Sequence, residues 1–258
     1  MLGAIIGDIV GSRFEFNNSK SSKFELFTKN NSFTDDTICT IAIADAILNN
    51  KSYKDSLRGW CRQYPHPMGA YGDFFARWVF SDNPQPYNSF GNGSAMRVSP
   101  VGWLFDDNRQ VTHQAALSAE VTHNHPEGIK GAQVIALCVK MLLDGCKKGD
   151  IDQFVTNEYG ILPSFIPFSN PFNETCQNAV PMSVSCFLAS ANFEDAIRKA
   201  IIVGGDSDTI GAITGSLAEA YYGIPVAIQE TGLEYLSDKM RGLLRQFYKE
   251  VYRERQKE

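Results

Sequence analysis

Glycine stands at every fourth position of the opening segment, at Gly3, Gly7 and Gly11. Leu2, Ile5, Ile6, Ile9 and Val10 follow the i, i+3, i+4, i+7, i+8 spacing of one helical face. The two sets describe one helix with a face of large apolar side chains and a second face with none. Glycine weakens a helix interior by about 1 kcal/mol relative to alanine. A row of three therefore points to a compensating contact, a neighbour packed against the glycine face at unusually short range. No other feature constrains the fold as much.

The rest of the chain carries the same helical period. Helices are expected over Thr37 to Leu48, Asp55 to Tyr64, Gly72 to Phe80, Ala95 to Phe105 (which contains Pro100) and Gln110 to Thr122. Another opens at Pro126, a residue suited to a first helical turn, and runs to about Cys146. From Gly160 to Pro181, four prolines among Asn and Ser read as loop. Helices resume over Val184 to Ala191, Phe193 to Val203 and Thr209 to Tyr222, and residues 224–258 make one or two more. There is no strong period-2 strand, no repeat of 20–50 residues and no linker. The expectation is one all-α domain over residues 1–258.

Composition narrows the function classes. A net charge of -5 argues against a general nucleic-acid binder, which needs clustered Lys and Arg for phosphate. The six cysteines include no Cys-x-x-Cys pair and lie mostly among apolar residues, as in a reduced, cytoplasmic protein. The first eleven residues lack a basic start and are interrupted by Asp8, a poor signal peptide. Gly131 to Cys146 is too short and too charged to span a bilayer. No membrane association is expected.

Two segments repeat one composition. Phe33-Thr34-Asp35-Asp36-Thr37 and Gly204-Gly205-Asp206-Ser207-Asp208-Thr209 each set two carboxylates beside hydroxyls at the exposed start of a helix. Asp and Thr cap helices and complement the helix dipole there. Capping accounts for one Asp in the second segment, but not for two with a glycine pair that lets backbone approach a ligand. Mg²⁺ and Mn²⁺ prefer carboxylate, hydroxyl and water oxygens. Four carboxylates brought together repel unless cations balance them, so a two-metal site is the functional reading.

Three further segments are weaker alone. The loop Asn88 to Arg97, containing Ser89, Phe90, Gly91, Asn92, Gly93, Ser94 and Met96, can present backbone N–H groups to an anion, or be an ordinary turn. His123 and His125 lack the thiolates or His spacing of a zinc site, so one of them as a hydrogen-bond donor to a ligand fits better; helix-end capping by Thr122 and Asn124 is the alternative. Glu15 either pairs with Arg13 on the surface or, like Asp8, faces a site.

Together these stretches, in this order and from residue 3 to about 223, resemble the ADP-ribosylglycohydrolases, the group that includes dinitrogenase reductase-activating glycohydrolase and the ADP-ribosyl-acceptor hydrolases. The resemblance implies a compact, single-domain orthogonal helical bundle with a dinuclear site for two Mg²⁺ or Mn²⁺ ions. It implies Thr34, Asp35 and Asp36 as one group of ligands and Asp206, Asp208 and Thr209 as the other. By the same likeness, Glu15, Asp35 and Asp36 serve catalysis. Ser89 to Ser94 with Met96, His123, Gly205 and Ser207 would hold the diphosphate and riboses, with Phe90 on the adenosine side. The implied reaction is hydrolysis at C1″ of an ADP-ribose joined to a protein side chain or a small molecule, by a monomer. The acceptor does not carry over. Two alternatives stay open: a reader that binds ADP-ribose without cutting it, and another Mg²⁺-dependent helical enzyme of diphosphate substrates. An isoprenoid synthase would want Asp-Asp-x-x-Asp, whereas Asp35-Asp36 is followed by Thr37, Ile38 and Cys39.

Overall fold

The computed structural model describes residues 1–19 and 21–255. At its centre two helices cross glycine to glycine: α1 (Leu2–Gly11), and the late helix Ser207–Tyr222. A β-carbon placed on Gly3 would lie 2.2 Å from the carbonyl oxygen of Gly215, and one on Gly11 would lie 2.4 Å from the Cα of Asp208. The expected close neighbour is thus a helix from the far end of the chain. All ten residues of α1 are buried. A helix buried all round belongs in the interior of a protein, and the others are laid around this pair.

In chain order those others begin with α2 (Asp35–Leu48), α3 (Tyr53–Gln63) and α4 (Asp73–Phe80). The segment expected as one helix around Pro100 is two, α5 (Gly93–Met96) and α6 (Ser99–Leu104). Pro100 sits in the first turn of α6, where its missing N–H is not needed. Next come α7 (Asn108–Glu120) and α8 (Pro126–Leu143), followed by α9 (Lys148–Tyr159) in a region where periodicity identified no helix. Only Ile151 and Val155 of α9 are buried, a stripe too thin to read. α10 (Cys176–Leu188) starts eight residues before the expected Val184 and takes Pro181 into its interior. α11 (Phe193–Ile202) and α12 (Ser207–Tyr222) lead to α13 (Val226–Glu234) and α14 (Asp238–Arg255). The tail therefore makes two helices, and residues 256–258 lie outside the described residues.

There is no strand among the described residues; a single antiparallel bridge joins Gly91 to Thr175. The all-α reading holds. One continuous core runs from α1 through α2, α8 and α10 to α14. All six cysteines are free thiols. No helix among the described residues is long and apolar enough to cross a membrane. The start of α2, the start of α12 and the loop before α5 come together at one end of the α1–α12 pair.

Candidate active site

The site is built outward from Asp8. Its side chain is fully buried on α1 and accepts four hydrogen bonds from the first turn of α2. The amide and hydroxyl of Thr34 donate at 3.0 and 2.8 Å, the amide of Thr37 at 3.1 Å, and the Thr37 hydroxyl completes the set. Asp8 is a helix cap supplied by another helix. Burial nevertheless pushes its pKa up to about 6, more than these four bonds lower it. The Thr34 hydroxyl also accepts the Asp36 amide at 3.2 Å. With these two residues satisfying the α2 N-terminus, Asp35 and Asp36 can turn their carboxylates into a pocket.

The second acidic segment is held by a loop from the other direction. Gly204 and Gly205 have φ of 91° and 83°. Asn18 reads that turn: its Oδ1 accepts the Gly205 amide at 2.9 Å, and its Nδ2 donates to the Gly205 carbonyl at 2.7 Å and the Ser207 hydroxyl at 3.0 Å. Asp206 accepts Asn92 Nδ2 at 2.6 Å, and Thr209 donates to both oxygens of Asp36 at 3.2 and 3.1 Å. One oxygen each from Glu15, Asp206 and Asp208 lie within 4.8 Å of one another.

These carboxylates strain against each other. Burial first, then neighbouring charge, raises Asp35, Asp36 and Asp208 well above the usual carboxylate range. Burial raises Asp206 too, and burial followed by Asp206, Asp8 and Glu174 pushes Glu15 up to about 7. Asp208 Oδ1 and Glu15 Oε2 are buried with no hydrogen-bond partner. Unsatisfied buried oxygens in an all-oxygen cluster fit hard divalent cations. Asp208 is buried and Asp35 partly so, and both line the pocket; the exposed helix starts expected of them are not found.

The pocket encloses about 520 Å³. Glu15, Asp35, Asp36, Asp206, Asp208 and Thr209 line its acidic side. Ser89, Phe90, Gly91, Asn92, Gly93, Met96 and His123 line the pocket as well, Asn92 in contact with Asp206 and Met96 with Thr209. Four expected residues stand behind the lining. Thr34 is engaged by Asp8 and Asp36, and the Ser94 hydroxyl donates to the Gly128 carbonyl at 2.7 Å. Gly205 and Ser207 are held by Asn18. Arg13 does not pair with Glu15; it donates to the Glu25 carbonyl at 2.6 Å and lies over the Phe14 ring. Glu174, Phe16, Phe74 and Tyr87 also line the pocket. No spacing pointed to them, since they come from loops and from α4. The one cue was the Asn/Pro-rich composition around Glu174.

Comparison with known proteins follows the same lines. The sequence profile of the ADP-ribosylglycohydrolase family matches residues 1–258. An uncharacterized protein of Archaeoglobus fulgidus is 26% identical over 243 residues, covering 80% of this chain and 76% of its own. The ADP-ribosylhydrolase ARH3 of Mus musculus is 23% identical over 306 residues, covering 87% and 83%. The ADP-ribosylarginine hydrolase Tri1 of Pseudomonas putida is 24% identical over 260 residues, covering 87% and 70%. Among solved structures, an ADP-ribosylglycohydrolase-related protein complex matches with a TM-score of 0.75 and 22% identity over 97% of both chains, a likeness of fold.

Proposed function

The chain belongs to the ADP-ribosylglycohydrolase family, and from that premise we propose that it releases ADP-ribose from an acceptor, a protein side chain or a small molecule, with two Mg²⁺ or Mn²⁺ ions bound. Hydrolysis of ADP-ribose conjugates is what the family and the similarity to ARH3 and Tri1 support. The observation that carries the metal-dependent reading is the trio Glu15, Asp206 and Asp208, with two buried oxygens left unpartnered.

Asp35, Asp36, Asp206, Asp208 and Thr209 would hold the cations, which supply Lewis-acid charge to orient the hydroxyls of the distal ribose. The loop Ser89 to Gly93, with His123 against Gly91 and Gly93, would receive the nucleotide. On this reading C1″ would lie over the carboxylates. Glu15, half-buried and without a basic partner among the described residues, is positioned to take the proton of the attacking water. The remaining carboxylates face the positive charge that develops on the sugar as the glycosidic bond lengthens. The same reading takes the protein as a cytoplasmic monomer without general affinity for nucleic acid or membranes.

The test is a panel of arginine, serine, nucleobase and O-acetyl conjugates of ADP-ribose, incubated with protein and Mg²⁺ or Mn²⁺. Release of ADP-ribose from at least one, lost in EDTA and restored by either ion, is expected. Full turnover in chelator, with no metal by elemental analysis, overturns the metal dependence. Tight ADP-ribose binding with no release from any conjugate leaves a reader instead of an enzyme.

A further inference from the structure

His123 lines the pocket but is only 5% exposed, so its protonation is set by the protein rather than by solvent. Its Nδ1 lies 2.7 Å from the hydroxyl of Thr122. Thr122 is fully buried, and its hydroxyl oxygen accepts Arg97 Nη2 at 2.9 Å. The same Nη2 donates to the Ser118 carbonyl at 2.8 Å, which fixes the guanidinium. A guanidinium only donates. The Thr122 proton must therefore go elsewhere, and the one further partner recorded for that hydroxyl among the described residues is His123 Nδ1. A nitrogen that accepts this proton carries its lone pair, which leaves the ring proton on Nε2. The opposite tautomer strands a buried hydroxyl proton without an acceptor.

The glycines of the neighbouring loop show where Nε2 faces. A β-carbon placed on Gly93 would lie 3.1 Å from His123 Nε2, and one placed on Gly91 would lie 3.6 Å from it. Side chains at these two positions would crowd this nitrogen. Glycine keeps it accessible from the loop proposed to receive the nucleotide.

We propose that Arg97, Thr122 and His123 form a tautomer lock, which holds His123 as a neutral imidazole and presents its Nε2–H beside Gly91 and Gly93 as a fixed donor to an oxygen of the bound nucleotide. Arg97 and Thr122 are positioning residues that act through His123. The lock is a property of the free protein; only the identity of its ligand rests on the functional reading above. The imidazolium is excluded by the same contacts, since a proton on Nδ1 would meet the Thr122 hydroxyl and add charge beside Arg97. Burial and then Arg97 push the His123 pKa well below its usual value. The other ring against it, Tyr87 at 6.0 Å between centroids, supplies no anion to reverse this.

The chain has four histidines, so long-range ¹⁵N–¹H correlation spectra of ¹⁵N-histidine protein at pH 7 can resolve His123, assigned with His123→Gln. The wild type is expected to show the neutral Nε2–H form. Thr122→Ser, which keeps the hydroxyl, should keep that spectrum and the affinity for ADP-ribose measured by calorimetry. Thr122→Val should give mixed tautomers and an affinity about 3–10-fold weaker, the worth of one neutral hydrogen bond. A wild-type His123 found as Nδ1–H or as imidazolium overturns the lock, and so does a Thr122→Val spectrum identical to wild type. Absence of ADP-ribose binding by the wild type would overturn the functional reading, while the spectra would still decide the lock.

Discussion

Gly7 and Gly211 meet backbone to backbone. A β-carbon on Gly7 would stand 1.9 Å from the Gly211 carbonyl oxygen, and one on Gly211 would stand 2.5 Å from that of Gly7. The contact sets more than packing. Asp8 follows Gly7 on α1 and fixes the start of α2, while Asp208 lies on α12 one turn before Gly211. The glycine crossing therefore sets the distance between the two acidic segments.

Gly7→Ala and Gly211→Ala should each destabilise the protein by at least the 1–3 kcal/mol usual for overpacking, because the obstructing atoms are backbone and cannot turn aside. Gly59→Ala is the control. No atom lies within 4 Å of a β-carbon there, so it should gain roughly 0.4–1 kcal/mol. Urea denaturation measures all three. Wild-type stability in Gly7→Ala would mean that the helices are not in this register.

The glycine row was the most legible element of the sequence, because a period of four without side chains has one physical use in a helix interior. The pairing of Asp35-Asp36 with Asp206-Asp208 was legible from composition alone, since unlinked caps have no reason to share it. What the sequence did not reveal follows from long-range contact. Asp8 was read as a carboxylate that could face a site, and only the fold shows it as the cap of α2. The resemblance put Thr34 among the cation ligands and Ser94, Gly205 and Ser207 beside the nucleotide; none of the four lines the pocket, Thr34 being engaged by Asp8 and Asp36, Ser94 by Gly128, and Gly205 and Ser207 by Asn18. The helix start at Cys176 was hidden by Pro181; Cys176 is tied to the pocket loop, its amide to the Phe90 carbonyl at 3.0 Å and its thiol to the Gly91 carbonyl at 3.1 Å.

Asp8→Ala removes the acceptor for the amides of Thr34 and Thr37, and each amide left unpaired inside costs about 1–3 kcal/mol. Asp8→Asn keeps a carbonyl oxygen there and sheds a carboxylate whose burial already raises its pKa to about 6. The asparagine variant should thus melt well above the alanine variant at pH 7.5 in EDTA. Equal melting temperatures would show that volume, not hydrogen bonding, matters at this position.

The raised carboxylates give the metal-free protein a signed pH dependence. Asp8 at about 6 and Glu15 at about 7 lie above the ordinary value near 4, so the folded state holds more protons than the unfolded state between those limits. Stability in EDTA should then fall as pH rises from about 4 to about 7. Mg²⁺ or Mn²⁺ should reverse the loss, since a ligand that binds only the folded state stabilises it. Asp208→Asn should raise the melting temperature in EDTA at pH 7.5 and remove the response to cations. A melting temperature in EDTA that rises across this window would contradict the assigned shifts.

Glu15 has two possible uses, in an ion pair or in turnover, and the geometry separates them. Arg13 turns away to the Glu25 carbonyl, while Glu15 reaches Asp206 and Asp208 with its Oε2 unpartnered. A surface pair would be worth less than about 1 kcal/mol, and its removal would leave the reaction alone. A carboxylate that takes a proton in the transition state typically contributes about 10²–10⁴-fold in rate. Glu15→Gln keeps the shape and removes the base. It should lower the single-turnover rate on an ADP-ribose conjugate by that factor, with the ADP-ribose dissociation constant changed only a few-fold, because the lost interaction belongs to the transition state rather than the bound ground state. Metal content, measured in the same samples, must stay near wild type for the comparison to hold, since Glu15 also borders the proposed cation site. An unchanged rate would remove Glu15 from the chemistry, and a rate and affinity that fall together would make it a substrate-binding group.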